Sequence, residues 1–566
     1  MTVKALISLV LGLATITACA NSSGVRPAAT AEASVGAPAR QELTAQILYQ
    51  YLLGEIAAQR GELAVAAEAM LDLAVKTRDA RIAQRATELA IFARRPAQAL
   101  RAAQLWVERE PNSARARQTY ISLLLGAGRL NDARPQLEAF LRLGELGAGF
   151  LQLPQLLLRH QDKQAVLTLM SELAAAYPSL PEASLALAQV AWHAAQSERA
   201  LTAVDEALRL RPGWESAALF KGQILQRRGE DEAVAYWQGF LARHPDARQV
   251  RQLLARQLAR MGRFAAARAH FEVLHAQDPA QVEHLVALGL MAQQMSDWAA
   301  AERYYLQALD SAQGDADQLR LYLGQVAEAQ RRHDQALKWY LAVGEGRHYL
   351  DARMRAAVLL GKLGRIDEGR RVLAALPAES EAERVQLIQT EAQMLREAKD
   401  YQAMFDLLSR ALEAMPDSPE LLYDRAMAAE RLNRLDVLEQ DLRRLIALKP
   451  DHAHAYNALG YTLADRTERI AEAIELLEVA LKLAPDDPFI LDSMGWALFK
   501  ARRLNEAIDY LRRAYSLRAD PEIAAHLGEA LWVRGDREEA RRIWQGSLRE
   551  HPDNESLRET VGRLLP

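Results

Sequence analysis

Seven prolines set a period along this chain. Pro178, Pro212, Pro245 and Pro279 are spaced 34, 33 and 34 residues apart, and Pro416, Pro450 and Pro485 by 34 and 35. A chain that repeats at such an interval does not build one central core. Each repeat is a supersecondary unit that buries its apolar face on its neighbours. Apolar residues inside the repeat recur with helical spacing from about Glu42 to the C-terminus, and no run of alternating β-branched residues occurs, so helices are expected and strands are not.

Small residues recur inside the period. With the closing proline counted as position 32, position 8 is Gly54, Ala188, Gly222, Ala255, Gly289, Gly324, Ala357, Ala392, Ala426, Gly460, Gly495 or Gly528. Position 20 is alanine in Ala66, Ala99, Ala133, Ala200, Ala233, Ala267, Ala301, Ala336, Ala473, Ala507 and Ala540. Two helices that cross where these residues meet come close, and a larger side chain would push their axes apart. Large residues near position 24, among them Met70, Trp237, Tyr305, Tyr340, Leu511 and Trp544, are expected to fill the space between adjacent units. Turns such as Gly128-Arg129, Gly262-Arg263 and Gly535-Asp536 separate the two helices, with glycine able to take φ > 0 after the first.

A helix–turn–helix unit of about 34 residues is the tetratricopeptide signature. The predicted fold is therefore all-α, a right-handed superhelical solenoid of about fifteen tetratricopeptide repeats, with a polar-faced capping helix after the last. The units before Pro178 and at 349–377 and 384–416 are the most degenerate. The expected organisation is a signal peptide over 1–18, a lipidated cysteine and flexible linker over 19–41, an N-terminal and central solenoid over 42–376, and a C-terminal solenoid over 377–566. A break near Gly144-Glu145-Leu146-Gly147 is the other candidate boundary.

The only cysteine, Cys19, stands at the end of an apolar run over 5–18 that follows Lys4. Fourteen residues make a signal-peptide core and are too short for a ~20-residue membrane span. The sequence Ile16-Thr17-Ala18-Cys19 resembles the bacterial lipoprotein box, which implies acylation of Cys19. Lipid chains contribute about 0.8 kcal/mol per buried CH2, so two or three hold a protein at a membrane durably. Ala20, where a retention signal would place Asp, implies the outer membrane, with the protein facing the periplasm. Residues 20–40 are small, with Pro, Gly and Ser and almost no large apolar side chain, and cannot offset the entropy of ordering, so they read as a leash of roughly 25 Å r.m.s. reach.

A formal net charge of −4, with arginines dispersed among equal numbers of acids, argues against nucleic acid. No HExxH, GxxxxGK[ST], GxSxG or paired CxxC occurs, so no enzyme, cofactor or small-molecule substrate is expected. His452 and His454 diverge by about 200° on a helix and make no metal site.

Function is then expected from a surface. In "FILDSMGWALFK", Leu491, Met494, Gly495 and Leu498 form the packing face, while Phe489, Asp492, Trp496 and Phe499 form a second stripe directed into the groove. The matching stripe one unit earlier is His454, Asn457, Tyr461 and Ala464, beside Asp465. One unit later it is Glu522, Ala525, Glu529 and Trp532, and Tyr423 precedes them all. Middle units place glutamines there, such as Gln223, Gln325 and Gln389. Rings beside acids and amides describe a protein-binding groove. Trp496, Tyr461 and Trp532 are expected to face a ligand, whereas Phe489 and Phe499 also fit a role as padding against the next helix. The extra residue within 454–473 is expected to reshape the wall beside Asp465 and Arg466.

The runs "LYQYLLGEIAAQRGELAVAAEAMLDLAVKTRDARIAQRATELAIFARR", "NALGYTLADRT", "LDSMGWALFK" and "AAHLGEALW" resemble the large tetratricopeptide outer-membrane lipoproteins of proteobacteria. That resemblance implies a non-enzymatic adaptor that binds a periplasmic carboxyl-terminal processing protease and presents its peptidoglycan-hydrolase clients. Two other roles stay open at this point: a structural scaffold for an exopolysaccharide or pilus secretion complex, and an activator of a peptidoglycan synthase.

Overall fold

The computed structural model describes residues 43–158, 160–311, 315–378 and 380–565; Cys19, the expected signal peptide and the expected linker lie outside them. Among the described residues every regular element is a helix. The 31 helices pair into fifteen hairpins, from Ala45–Gln59 with Leu63–Thr77 to Pro521–Arg534 with Arg537–Glu550, followed by the single helix Glu555–Leu564. None is long and apolar enough to cross a membrane.

The turn inside the hairpin recurs with one geometry in twelve of the hairpins. The residue that leaves the first helix is left-handed: Gly61, Gly128, Gly262, Gly364 and Gly535 take φ of 72 to 108°, and Arg94, Ala195, Ser296, Arg331, Lys399, Asn433 and Arg502 take 55 to 64°. The next N–H then reaches back to the last turn, as from Arg129 to Leu124 O at 2.9 Å while Gly128 N bonds Leu125 O at 3.1 Å. This pair of bonds is the Schellman motif, which satisfies carbonyls the helix end would otherwise orphan.

The crossing of the two helices explains the small residues. A Cβ on Gly222 would lie 2.0 Å from Trp237 Nε1, one on Gly528 2.0 Å from Trp544 Nε1, and one on Gly324 2.4 Å from Tyr340 Cε1. The same geometry sets Gly54 against Met70 and Gly495 against Leu511. The large side chains of position 24 therefore lie over the glycine of their own hairpin, in addition to the expected packing between units, where Tyr305 meets Tyr322 of the next hairpin at 5.2 Å and Phe271 meets His284 at 6.5 Å. The five that lie over glycines are enclosed. The pairing of a missing side chain with a large one keeps the interior at native density while the backbones approach.

The chain divides into two compact units, 1–301 and 302–566. In the first, one hydrophobic cluster spans Ala57 to Ala116 and another Ile121 to Ile224. In the second, clusters span Leu321 to Leu360 and Ala357 to Ala507, and a further one joins Ile508 and Trp544 to Leu557 of the terminal helix. Within these stacks a first helix packs on its own partner and on both helices of the preceding hairpin. Pro488–Lys500, for example, meets Leu504–Leu517, Ala453–Arg466 and Ile470–Leu483.

The degenerate hairpin Tyr349–Lys362 with Ile366–Ala374 departs from the pattern. Its second helix has only nine residues, and Met394 of the next helix, Glu381–Glu397, enters the gap. A Cβ on Gly361 would lie 2.4 Å from Met394 O, and one on Gly369 2.2 Å from its Sδ.

Candidate protein-interaction site

Three successive first helices carry the expected groove: Ala453–Arg466, Pro488–Lys500 and Pro521–Arg534. Their starts are set by sequence. Asp487 accepts from the N–H of Phe489 (2.9 Å) and Ile490 (3.1 Å), and Asp520 from that of Glu522 (3.0 Å), each just before a proline at the first helical position. His452 caps the first of them, its Nδ1 accepting from Ala455 N at 3.1 Å. Its ring sits 5.6 Å from that of Tyr423. That cap gives His452 a structural task, and no group of three or more metal-ligating residues occurs among the described residues.

The extra residue in the 454–473 hairpin changes its turn. The first helix runs to Arg466 and leaves through Thr467 in an extended conformation (φ −140°), with no left-handed residue. Thr467 Oγ1 donates to Leu463 O at 2.7 Å and accepts from Arg469 N at 3.1 Å. Asp465, in the last turn of that helix, meets Trp496, whose Nε1–H donates to Asp465 Oδ1 at 3.1 Å. Arg466 and Lys500 complete the surroundings of that carboxylate at 3.2 and 3.4 Å.

Trp496 is therefore an interior residue. It is 8% exposed, stacked on Phe499 (5.0 Å, 18°) and on His526 (4.2 Å, 22°). The exposure expected of it is absent, because the helix one repeat later covers its face with an imidazole. His526 was not among the residues the sequence singled out. A signal for it existed, since His526 follows Asp492 by 34 residues, one full repeat, and residues in equal register on first helices are neighbours.

Two acids of the stripe, Asp492 and Glu529, are also engaged. Asp492, 7% exposed, contacts His526 Nδ1 with both oxygens at 3.0 Å. Glu529, 6% exposed, accepts from Arg563 Nη2 of the terminal helix at 2.6 Å. Burial by itself pushes the His526 imidazole down, but the Asp492 carboxylate at hydrogen-bond distance, with Glu522 and Glu529 nearby, holds it above its ordinary value.

What the three helices and Tyr423 leave toward solvent combines aromatic rings with a few charges, Glu522 and Arg466 being exposed and Asp465 and Lys500 half-buried. Tyr423, Tyr461, Phe499 and Trp532 are half-buried, and His454 and Phe489 are exposed. Phe489 lies under the Arg518 guanidinium at 4.9 Å. Trp532 rests 5.8 Å from Trp544, with the guanidinium groups of Arg537 and Arg541 within 5.4 Å of its ring. The Tyr461 hydroxyl is pushed up by burial, and Asp465 and Asp492 add to the shift. Asn457 Oδ1 is buried without a hydrogen-bond partner.

Residues 221–282, 286–349, 423–488 and 493–555 match the family model described as tetratricopeptide repeat. The TPR repeat-containing protein PA4667 of Pseudomonas aeruginosa is 34% identical over 484 residues, 85% of this chain and 82% of that protein. The chain is a tetratricopeptide repeat protein. It is also similar to the small glutamine-rich tetratricopeptide repeat-containing protein 2 of Mycosarcoma maydis, 25% identical over 111 residues, 20% of this chain and 31% of that protein. The crystal structure of yeast Tom70 aligns with 91% of this chain and 99% of its own at 14% identity, with a TM-score of 0.34. Repeats of this kind form scaffolds for binding other proteins, and this tetratricopeptide chain is such a scaffold.

Proposed function

We propose that this tetratricopeptide protein is an adaptor, anchored in the outer membrane through lipid on Cys19, that binds a periplasmic carboxyl-terminal processing protease and presents its peptidoglycan-hydrolase clients. The observation that carries the reading is the row of half-buried rings on four successive first helices, Tyr423, Tyr461, Phe499 and Trp532, with the half-buried Asn457 beside them. Such rings bury area at low entropic cost and the amide fixes orientation, as a polypeptide ligand requires. The signal-like run before Cys19 and the resemblance to envelope lipoproteins supply the compartment and the partner class. Tethering raises the effective concentration of two clients held on one chain to about millimolar without any new contact.

The test is affinity capture from cell envelopes with the full chain as bait, followed by identification of what is bound. A protease of this class should be recovered, and a Tyr423→Ala, Tyr461→Ala double variant should lose it. Recovery of export or synthase components instead would replace the adaptor reading by a secretion scaffold or a synthase activator. Trp496 is the wrong control, because its removal collapses an interior stack. Separately, Cys19→Ala should abolish membrane retention if the anchor is lipid.

A further inference from the structure

The two termini of the described chain are finished differently. The terminal helix Glu555–Leu564 buries Leu557 and turns Glu555, Arg558, Glu559 and Arg563 to solvent, as a repeat stack requires at its end. The first helix, Ala45–Gln59, buries only Gly54 and Ala57. Leu48, Tyr49, Tyr51, Leu52, Leu53 and Ile56 are each 39 to 66% exposed. Leu48, Leu52 and Ile56 form one ridge at a spacing of four, and Tyr49 and Leu53 form the ridge beside it.

That face carries almost no charge. The helix contains no Lys or Arg, and its single acid, Glu55, is held by Arg85 Nε and Nη2 at 2.9 and 3.0 Å. Gln50 donates to Asp72 at 2.5 Å. A surface without cations does not select the phosphates of an anionic bilayer. The chain's own preceding segment offers little to cover it, since residues 20–42 contain only Val25 and Val35 as larger aliphatic side chains. A neutral apolar ridge does match itself: two copies related by a two-fold axis meet no like-charge repulsion, and ridges of spacing four interdigitate. Six such side chains at about half exposure, with roughly 200 Å2 each, offer about 600 Å2 before flanking residues are added. A standard interface takes about 800 Å2 per partner.

We infer that helix 45–59 is an isologous self-association surface, and that the occupant of its exposed face is the same helix of a second copy of this chain. The inference rests on removal of the apolar run 5–18 as a signal peptide and is otherwise independent of the adaptor reading.

Sedimentation velocity in detergent-free buffer tests it on the chain from Ala20 onward, which keeps every described residue. A dimer should grow in from low to high micromolar concentration. Leu52→Glu should abolish it with helical circular dichroism unchanged, whereas Leu517→Glu, an equally exposed leucine in the other unit, should not. Should Leu52→Glu disturb the fold, Leu52→Cys serves in its place, because the chain from Ala20 onward has no cysteine of its own. Mild oxidation should then give a disulfide-linked homodimer. A monomer at every concentration overturns the inference, as does a dimer indifferent to Leu52→Glu. So does Leu52-dependent flotation of a solution monomer with phosphatidylethanolamine and phosphatidylglycerol vesicles, which would assign the face to lipid.

Discussion

Asp492 holds His526 through both carboxylate oxygens, each 3.0 Å from Nδ1, across a separation of one repeat. The pair links two consecutive first helices, and the imidazole also lies flat on Trp496 at 4.2 Å. Charge, stacking and repeat register thus meet in one contact, and its strength depends on a proton.

The folded-state value of His526 is raised above its ordinary 6.5, so the protonated form is favoured in the native state. Its contribution is fully present below about pH 6.5 and is lost as pH rises through the raised native value. The thermal midpoint of the C-terminal unit, followed by tryptophan fluorescence, should therefore fall as pH is taken from mildly acidic to alkaline. His526→Gln should remove that part of the slope. A slope unchanged in the variant would assign the pH dependence to other groups.

Gly528→Ala places a Cβ 2.0 Å from Nε1 of Trp544, an indole with no exposed surface. The crossing has to widen, at a cost of about 1–3 kcal/mol typical of overpacking. Adding Trp544→Leu should recover part of the loss, since Ala426 and Leu442 occupy the same register positions in another hairpin. Urea midpoints of the three chains measure both effects, and a neutral Gly528→Ala would refute the close crossing.

At the hairpin turns, Ala195 sits at φ 58°, where glycine is the better residue. Ala195→Gly should raise stability by about 0.5–1 kcal/mol, and Gly262→Ala, at φ 75°, should lower it by about 1 kcal/mol. Opposite shifts in melting temperature by circular dichroism are the expected result. Shifts of the same sign would mean the two turns do not share one conformation.

Arg425 donates from Nε and Nη2 to the two oxygens of Asp441, both at 2.7 Å, and the Asp441 side chain is 2% exposed. Arg425→Met leaves a buried carboxylate alone and should cost about 3–5 kcal/mol. The double change Arg425→Met, Asp441→Leu should restore most of that, because a buried ion pair replaced by apolar side chains is close to neutral. Equilibrium unfolding of the single and double variants tests the cycle.

The architecture was legible in the chain because its determinants are local and repeated. Prolines at 34-residue spacing, glycine or alanine at the crossing and glycine at Gly128, Gly262 and Gly535 each act within one hairpin, and fifteen hairpins average out the irregular ones. The partners of position 24 were harder to read. Helical spacing says that Trp237 or Trp544 faces inward, but not whether a residue of its own hairpin or of the next one meets it.

The groove was legible only as a set of faces. Spacing placed Asp492 and Trp496 on the stripe with Phe489 and Phe499, and Tyr461 on the matching stripe before it. Whether a side chain on that stripe meets water depends on the size of the residue one repeat away and on the angle between hairpins, which no single helix encodes. His526 happens to be large and flat enough to cover Trp496, and Arg563 long enough to reach Glu529, so the acids and the indole were taken into the interior.

By itself the sequence determined that this protein is a series of helical hairpins, because period, small residues and turn glycines act over distances of a few residues. The tertiary structure alone decided which aromatic and charged groups remain at the surface. Burial is a property of pairs of hairpins, set where side chains about one repeat apart in sequence come within 4.2 Å of ring-to-ring distance, as His526 and Trp496 do.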